Sequence, residues 1–174
     1  WSQDEGFENE AALRSVGRSL ELRPGSQAAL AWRCLTLSHV GLLDEAQEGF
    51  HASLAAQPDD PMSLFGSAQA LSYQGRHDLA AAQLSRALQR SPGASVLHLL
   101  ECVFWLNLDE IERAELSLAT ARGLLGDDPI LDASEAFLFA KRGDERRALD
   151  ALARSAQEKR SLGHRHHANH YAAS

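Results

Sequence analysis

The chain has 174 residues, 44% of them hydrophobic and 6% aromatic, with a formal net charge of −7. Its longest apolar run, Val96 to Leu108, is broken by His98, Glu101 and Asn107. It falls short of the roughly 18 residues that a membrane span needs, so no membrane partner is expected. Residues 141–174 carry eight Lys and Arg against four acids, which leaves −11 on the rest of the chain. A phosphate backbone would be repelled along most of the length, so no nucleic acid partner is expected either.

In chain order the pattern reads as a lone second helix at 8–22, helix pairs at 27–60, 61–94, 95–128 and 129–162, and the start of a further first helix at 163–174. The whole of 1–174 is then a single repeat array. One spacing supports this division: Ala12, Ala46, Ala80, Ala114 and Ala148 follow one another at 34 residues, the length of a helix-turn-helix repeat. Pro24, Pro58 and Pro92 keep the same spacing and stop second helices, while Pro61 and Pro129 open first helices, where a missing N–H costs nothing. Gly41, Gly75 and Gly143 fall where the chain reverses between the helices of a pair, and Asp109 takes that register in the remaining pair.

Packing positions repeat as well. Phe50, Leu84, Leu118 and Leu152 hold one register, Ser53, Ala87, Ala121 and Ser155 a second, and Leu37, Leu71, Trp105 and Phe139 a third. Small residues let helices approach and large ones fill the space between them. With Leu64, Ala68, Leu71, Gly75, Ala80, Leu84, Ala87 and Pro92, the stretch 61–92 resembles the tetratricopeptide repeat (TPR) family. The resemblance implies an all-α fold, a right-handed TPR superhelix (α-solenoid) of antiparallel helix pairs, and a protein-protein interaction scaffold rather than an enzyme. Gly126 and Arg160 stand where the closing Pro would, and His98 and Asp132 replace the Leu30 and Leu64 of earlier pairs, so the later pairs are expected to be looser.

Residues 95–174, with the His-rich 163–174, resemble TPR arrays attached to bacterial signalling or regulatory proteins of kinase, cyclase or winged-helix type. Together with the start at Trp1, this leads to the expectation of a piece of a longer protein, by default cytoplasmic. TPR adaptors that grip a terminal carboxylate do so with Lys, Asn and Arg on first helices. The matching sites here are Ala31, Leu35, Gly66, Val96 and Leu100, so that clamp is absent.

First helices line the inward wall of such an array. The inward registers are Ala28, Ala31 and Leu35; Phe65, Gln69 and Tyr73; Val96, Leu99, Val103 and Leu106; and Ile130, Ala133, Phe137 and Lys141. A helix apolar almost all round, as 95–108 is, implies cover on both sides. A partner-binding strip of Phe65, Gln69, Tyr73, Leu99, Val103, Leu106, Phe137, Lys141 and His167 is therefore expected, its occupant a protein or peptide partner or another domain of the same chain.

The alternatives are an intramolecular spacer or dimerisation module, and a metal sensor or metal-assisted enzyme built on His166, His170 and Glu135. Two imidazoles four residues apart share a helix face, but no acid lies between them, so no metal and no cofactor are expected. Cys34 and Cys102 repeat one register two pairs apart and read as small core residues, too distant for a disulfide. No phosphate loop, nucleophile elbow or paired-carboxylate motif occurs, and no small-molecule substrate is expected.

The register assignment makes one direct test available. Ala80→Leu should overpack the closest helix approach and destabilise by about 1–3 kcal/mol, whereas Ala82→Leu, one face away, should be near neutral. Equal shifts in the urea midpoint would show that the registers are misassigned.

Overall fold

A computed structural model describes residues 9–157. Among them there are nine α-helices and no strand: α1 (Asn9–Leu22), α2 (Gln27–His39), α3 (Leu43–Ala56), α4 (Pro61–Tyr73), α5 (His77–Arg90), α6 (Ser95–Asn107), α7 (Ile111–Leu125), α8 (Pro129–Lys141) and α9 (Glu145–Gln157). They fall into two compact units, one holding α1–α5 within Gly6–Pro92 and the other α6–α9 from Gly93 onward.

Local chemistry sets the helix ends. Pro61 and Pro129 open α4 and α8, and the Asp60 and Asp128 carboxylates accept from the backbone N–H of Ser63 and Ile130 at 2.8 and 3.0 Å. Ser26 caps α2 in the same way through the Ala29 N–H. Each satisfies a donor that the first turn leaves without a helical partner.

The turns inside the pairs are copies of one another. Gly41, Gly75 and Gly143 adopt φ of 86°, 74° and 74°, and Asp109 takes 59° in the same register. One residue later the backbone N–H reaches back to the last turn: Leu42 to Leu37, Arg76 to Leu71, Glu110 to Trp105 and Asp144 to Phe139, at 2.9–3.0 Å. This is the six-to-one closure that a left-handed residue after a helix makes possible. The Asp109 side chain also meets Lys141 at 2.8 Å, a contact that glycine could not make.

In the α1–α5 unit, Ala46, Phe50, Leu64, Ala68, Leu84 and Ala87 have no exposed surface. The α2–α3–α4 junction is so close that a Cβ on Gly66 would lie 2.2 Å from the Phe50 ring and 3.1 Å from Leu35 Cδ2. Buried polar groups there are paired: Gln47 donates to the Ser67 carbonyl at 2.8 Å and accepts from the Ser67 hydroxyl at 3.1 Å. Ser53 meets Gln27 and Ser63, both at 2.8 Å. Net stabilisation from each such bond is modest, but leaving one unmade costs about 1–3 kcal/mol.

The α6–α9 unit is built on a cluster of Leu99, Cys102, Val103, Leu106, Ala114, Leu118, Ala121, Ile130, Leu131, Phe137 and Leu138. Both cysteines are buried free thiols. Burial pushes the Cys102 thiol up to about 12, with the Glu101 charge adding to it, and raises Cys34 as well. A thiol held so firmly in its neutral form is a poor nucleophile and metal ligand.

Two of the departures from the pattern, Gly126 and Asp132, are accommodated locally, while Arg160 lies outside the described residues. Gly126 closes α7 at φ 75° and ψ −144°, a backbone region open to glycine and almost nothing else. Asp132 meets Arg154 at 3.2 Å and Arg122 at 3.8 Å, and Glu135 meets the same two arginines at 2.5 and 3.6 Å. An ion clasp joining α7, α8 and α9 thus stands where Leu64 stands in α4. Gly126→Ala should destabilise the protein by about 1–3 kcal/mol because the strain cannot relax without lengthening α7. A thermal midpoint unchanged from the parent would show that alanine is tolerated there.

Candidate partner-binding site

The inward registers of the two units differ in what they leave open. On α4, Phe65, Gln69 and Tyr73 follow at i, i+4 and i+8 and so share one face. Phe65 packs half-buried on the cluster of Cys34, Leu35, Ala46, Phe50 and Ala70. Gln69 is 4% exposed, and its Oε1 is buried without a hydrogen-bond partner. Tyr73 is half-buried; burial raises its phenol to about 12, against a lowering hydrogen bond from Gln69. The phenol therefore stays protonated at any physiological pH. The row carries no charge, so it can recognise only by apolar contact and by neutral donors and acceptors.

On α6 and α8 the expected strip is core rather than surface. Leu99, Val103, Leu106 and Phe137 are 3%, 4%, 0% and 3% exposed and belong to one cluster with Ile130 and Leu131. The expectation of an open apolar wall across these helices is corrected for the α6–α9 unit. The two first helices pack side by side, so the inward registers of one interlock with those of the other and close over themselves. Of the inward α6 residues only Val96, at 39%, stays exposed. Lys141 lies at the α8 turn, bound to Asp109 and 5.7 Å from the centre of the Phe137 ring. His167, with His166 and His170, lies outside the described residues. Glu135, the acid expected beside those histidines, is engaged by Arg154 and Arg122.

Elsewhere among the described residues the polar side chains form small local pairs. Among the described residues no group of three or more His, Cys, Asp or Glu side chains could hold a metal ion, and no helix is long and apolar enough to cross a membrane. Ser117 donates to Glu101 at 2.8 Å, and His98 lies 3.6 Å from the same carboxylate. That serine is buried and its partner is a carboxylate, too weak a base to take a hydroxyl proton. Ser72 and His77 approach to only 3.4 Å, and burial lowers the His77 pKa while the charge of Asp78 raises it.

Sequence reasoning missed two features. Arg113 stacks over Trp105 at 3.4 Å and Arg147 over Phe139 at 4.5 Å. Arg113 and Arg147 are 34 residues apart, as are the two aromatics, so the signal was present in the period. The second is Trp32, 55% exposed beside Arg23 on a groove between α1 and α2. Its signal is the size mismatch with Gly66 in the same register.

Solved structures share this architecture. The thermophilic TPR protein TTC0263 of Thermus thermophilus superposes with a TM-score of 0.78 at 25% identity, over 95% of this chain and 91% of that one. The Cut9–Hcn1 hetero-tetramer of the APC/C gives 0.81 at 18% identity over 90% of this chain, which spans 31% of the chain it matches. MamA from Desulfovibrio magneticus RS-1 gives 0.69 at 16% identity, covering 88% of this chain and 89% of its own. No family model matches the sequence, and no curated protein is significantly similar to it. The fold is of the TPR solenoid type.

Burial of the α6–α8 row has a measurable consequence. Phe137→Ala should cost about 3–5 kcal/mol, and Val103→Asp, which buries a carboxylate without a partner, should unfold the α6–α9 unit. Losses below about 1 kcal/mol for both in urea denaturation would return the row to the surface.

Proposed function

We propose that this protein is a scaffold for protein-protein interaction whose inward α4 face, Phe65, Gln69 and Tyr73, holds an uncharged stretch of a partner polypeptide. The observation that carries the reading is the charge-free row on one face of α4, in which half-buried Phe65 and Tyr73 flank Gln69. Half-buried Phe65 and Tyr73 would give a bound segment two apolar walls, and the neutral Tyr73 phenol would offer it a hydrogen-bonding group. The TPR-type fold supports the same reading, since its stacked first helices present such rows repeatedly. The absent Lys, Asn and Arg clamp argues that the bound stretch is internal to the partner rather than a terminal carboxylate. A regulatory setting rests on the resemblance of the later repeats alone.

The test separates binding from folding. Gln69→Leu removes the amide together with its bond to Tyr73 and should change stability by no more than about 1 kcal/mol. A photo-reactive side chain at position 65 should crosslink a protein in a lysate of the source cell, and Gln69→Leu should reduce that product at least tenfold. A midpoint drop matching other core truncations would make Gln69 structural, and an undiminished crosslink would end the α4 reading.

A further inference from the structure

The groove between α1 and α2 is an open, shallow cleft of about 280 Å³ lined by Val16, Ser19, Arg23, Ala28, Ala29 and Trp32, among others. Adding 34 to these numbers gives Phe50, Ser53, Gln57, Met62, Ser63 and Gly66 on α3 and α4. There the face is covered. Phe50, Ser53 and Ser63 are 0%, 2% and 0% exposed, because α2 lies across them. Gln27 of α2 accepts from Ser53, Cys34 Sγ sits over Gly49, and Leu35 sits over Gly66. The same registers in the second unit, Leu118, Ala121, Leu131 and Ser134, are 5%, 0%, 0% and 0% exposed. Over α1 no described helix lies, and α1 has no buried residue.

The floor of the groove is bulkier than its counterpart under α2, so a helix covering it would lie farther out than α2 does over Gly66. Phe50 becomes the smaller Val16, and Gly66 becomes the larger Trp32. Its charge is opposite to that of the chain. Residues 9–39 hold four arginines against two glutamates. Arg14 and Arg18 are paired with Glu10 and Glu21, whereas Arg23 has no carboxylate partner among the described residues. Arg23 lies one turn beyond Ser19, the counterpart of the serine that meets the first residue of α2.

We propose that this groove docks an amphipathic helix with an acidic first turn, running along α1 and α2 as α2 runs along α3 and α4 but set outward by Trp32. Its first turn sets a carboxylate against Arg23, where an acid also suits the helix dipole. Two adjacent apolar residues, seven and eight positions on, rest on Val16 and Trp32. A second copy of this chain is a poor occupant, because self-docking would place Arg23 and its neighbours against one another. The inference is independent of the α4 face, and Gln69→Leu should leave it unchanged.

The probe is a dye-labelled synthetic peptide of residues 27–41 carrying Gln27→Glu, titrated with the full chain and followed by fluorescence anisotropy. Saturable binding is expected, weakened at least tenfold by Trp32→Ala and by Arg23→Glu in the protein, since Trp and Arg commonly dominate such contacts. Both side chains are exposed, so neither variant should lose its helical circular dichroism. The same peptide carrying Gln27→Lys should bind at least tenfold more weakly. Binding that survives both protein variants would mean exchange with α2 itself and would overturn the proposal, as would no saturable binding. Equal affinity of the two peptides would overturn the acidic assignment. A concentration-dependent dimer that excludes the peptide would give the groove to a second copy.

Discussion

The helix approach at Gly66, under Phe50 and Leu35, governs what the positions around it can be. A methyl group there would overlap an aromatic ring, so α2, α3 and α4 hold their spacing only while that register stays bare. Gly49 under Cys34 Sγ repeats the condition on the adjoining contact. Once the separation is fixed, Ala46 and Ala80 are the largest residues their registers admit, and Phe50 and Leu84 fill the space that remains. Interiors packed at this density transmit such constraints from one helix to the next. This is why one period, rather than any single motif, carries most of the structural information.

Backbone chemistry was legible in the sequence because it is local. Glycine at 41, 75 and 143 predicts a left-handed residue from its own missing Cβ, and Asp109 follows its register into the same conformation. Proline at 61 and 129 predicts a helix start for an equally local reason. The depth of the inward registers was not legible in the same way. Periodicity says that Leu99, Val103 and Phe137 face one side, but not whether α6 and α8 lie close enough to interlock over them. That depends on side chains two helices away, and the structure places these residues in the core. Asp132 shows the converse error. Judged against Leu64 it is a defect, yet Arg122 of α7 and Arg154 of α9 supply its partners from the helices on either side.

Polar residues in this fold serve two different ends. Gln47 with Ser67, and Ser53 with Ser63 and Gln27, satisfy one another inside helix junctions and set register without leaving anything open. The arginine stacks on Trp105 and Phe139 cover aromatic faces at the turns, where a bare ring would face solvent. Neither arrangement has capacity left for a ligand. The surface ion pairs, such as Arg14 with Glu10, add at most about 1 kcal/mol each and do not decide the fold.

Gln69 is different because of the company its register keeps. The equivalent positions on the other first helices are Leu35, Val103 and Phe137, all apolar and all buried. An apolar residue at position 69 would complete that series and remove a buried acceptor that has no partner. Stability alone would therefore favour replacing it, so the amide stands against the packing logic of its own repeat. What the amide does instead is bond the Tyr73 phenol, a polar link along one helix face where the other repeats pack hydrocarbon. Burial keeps that phenol protonated, so this face of α4 carries no charge to attract or to repel.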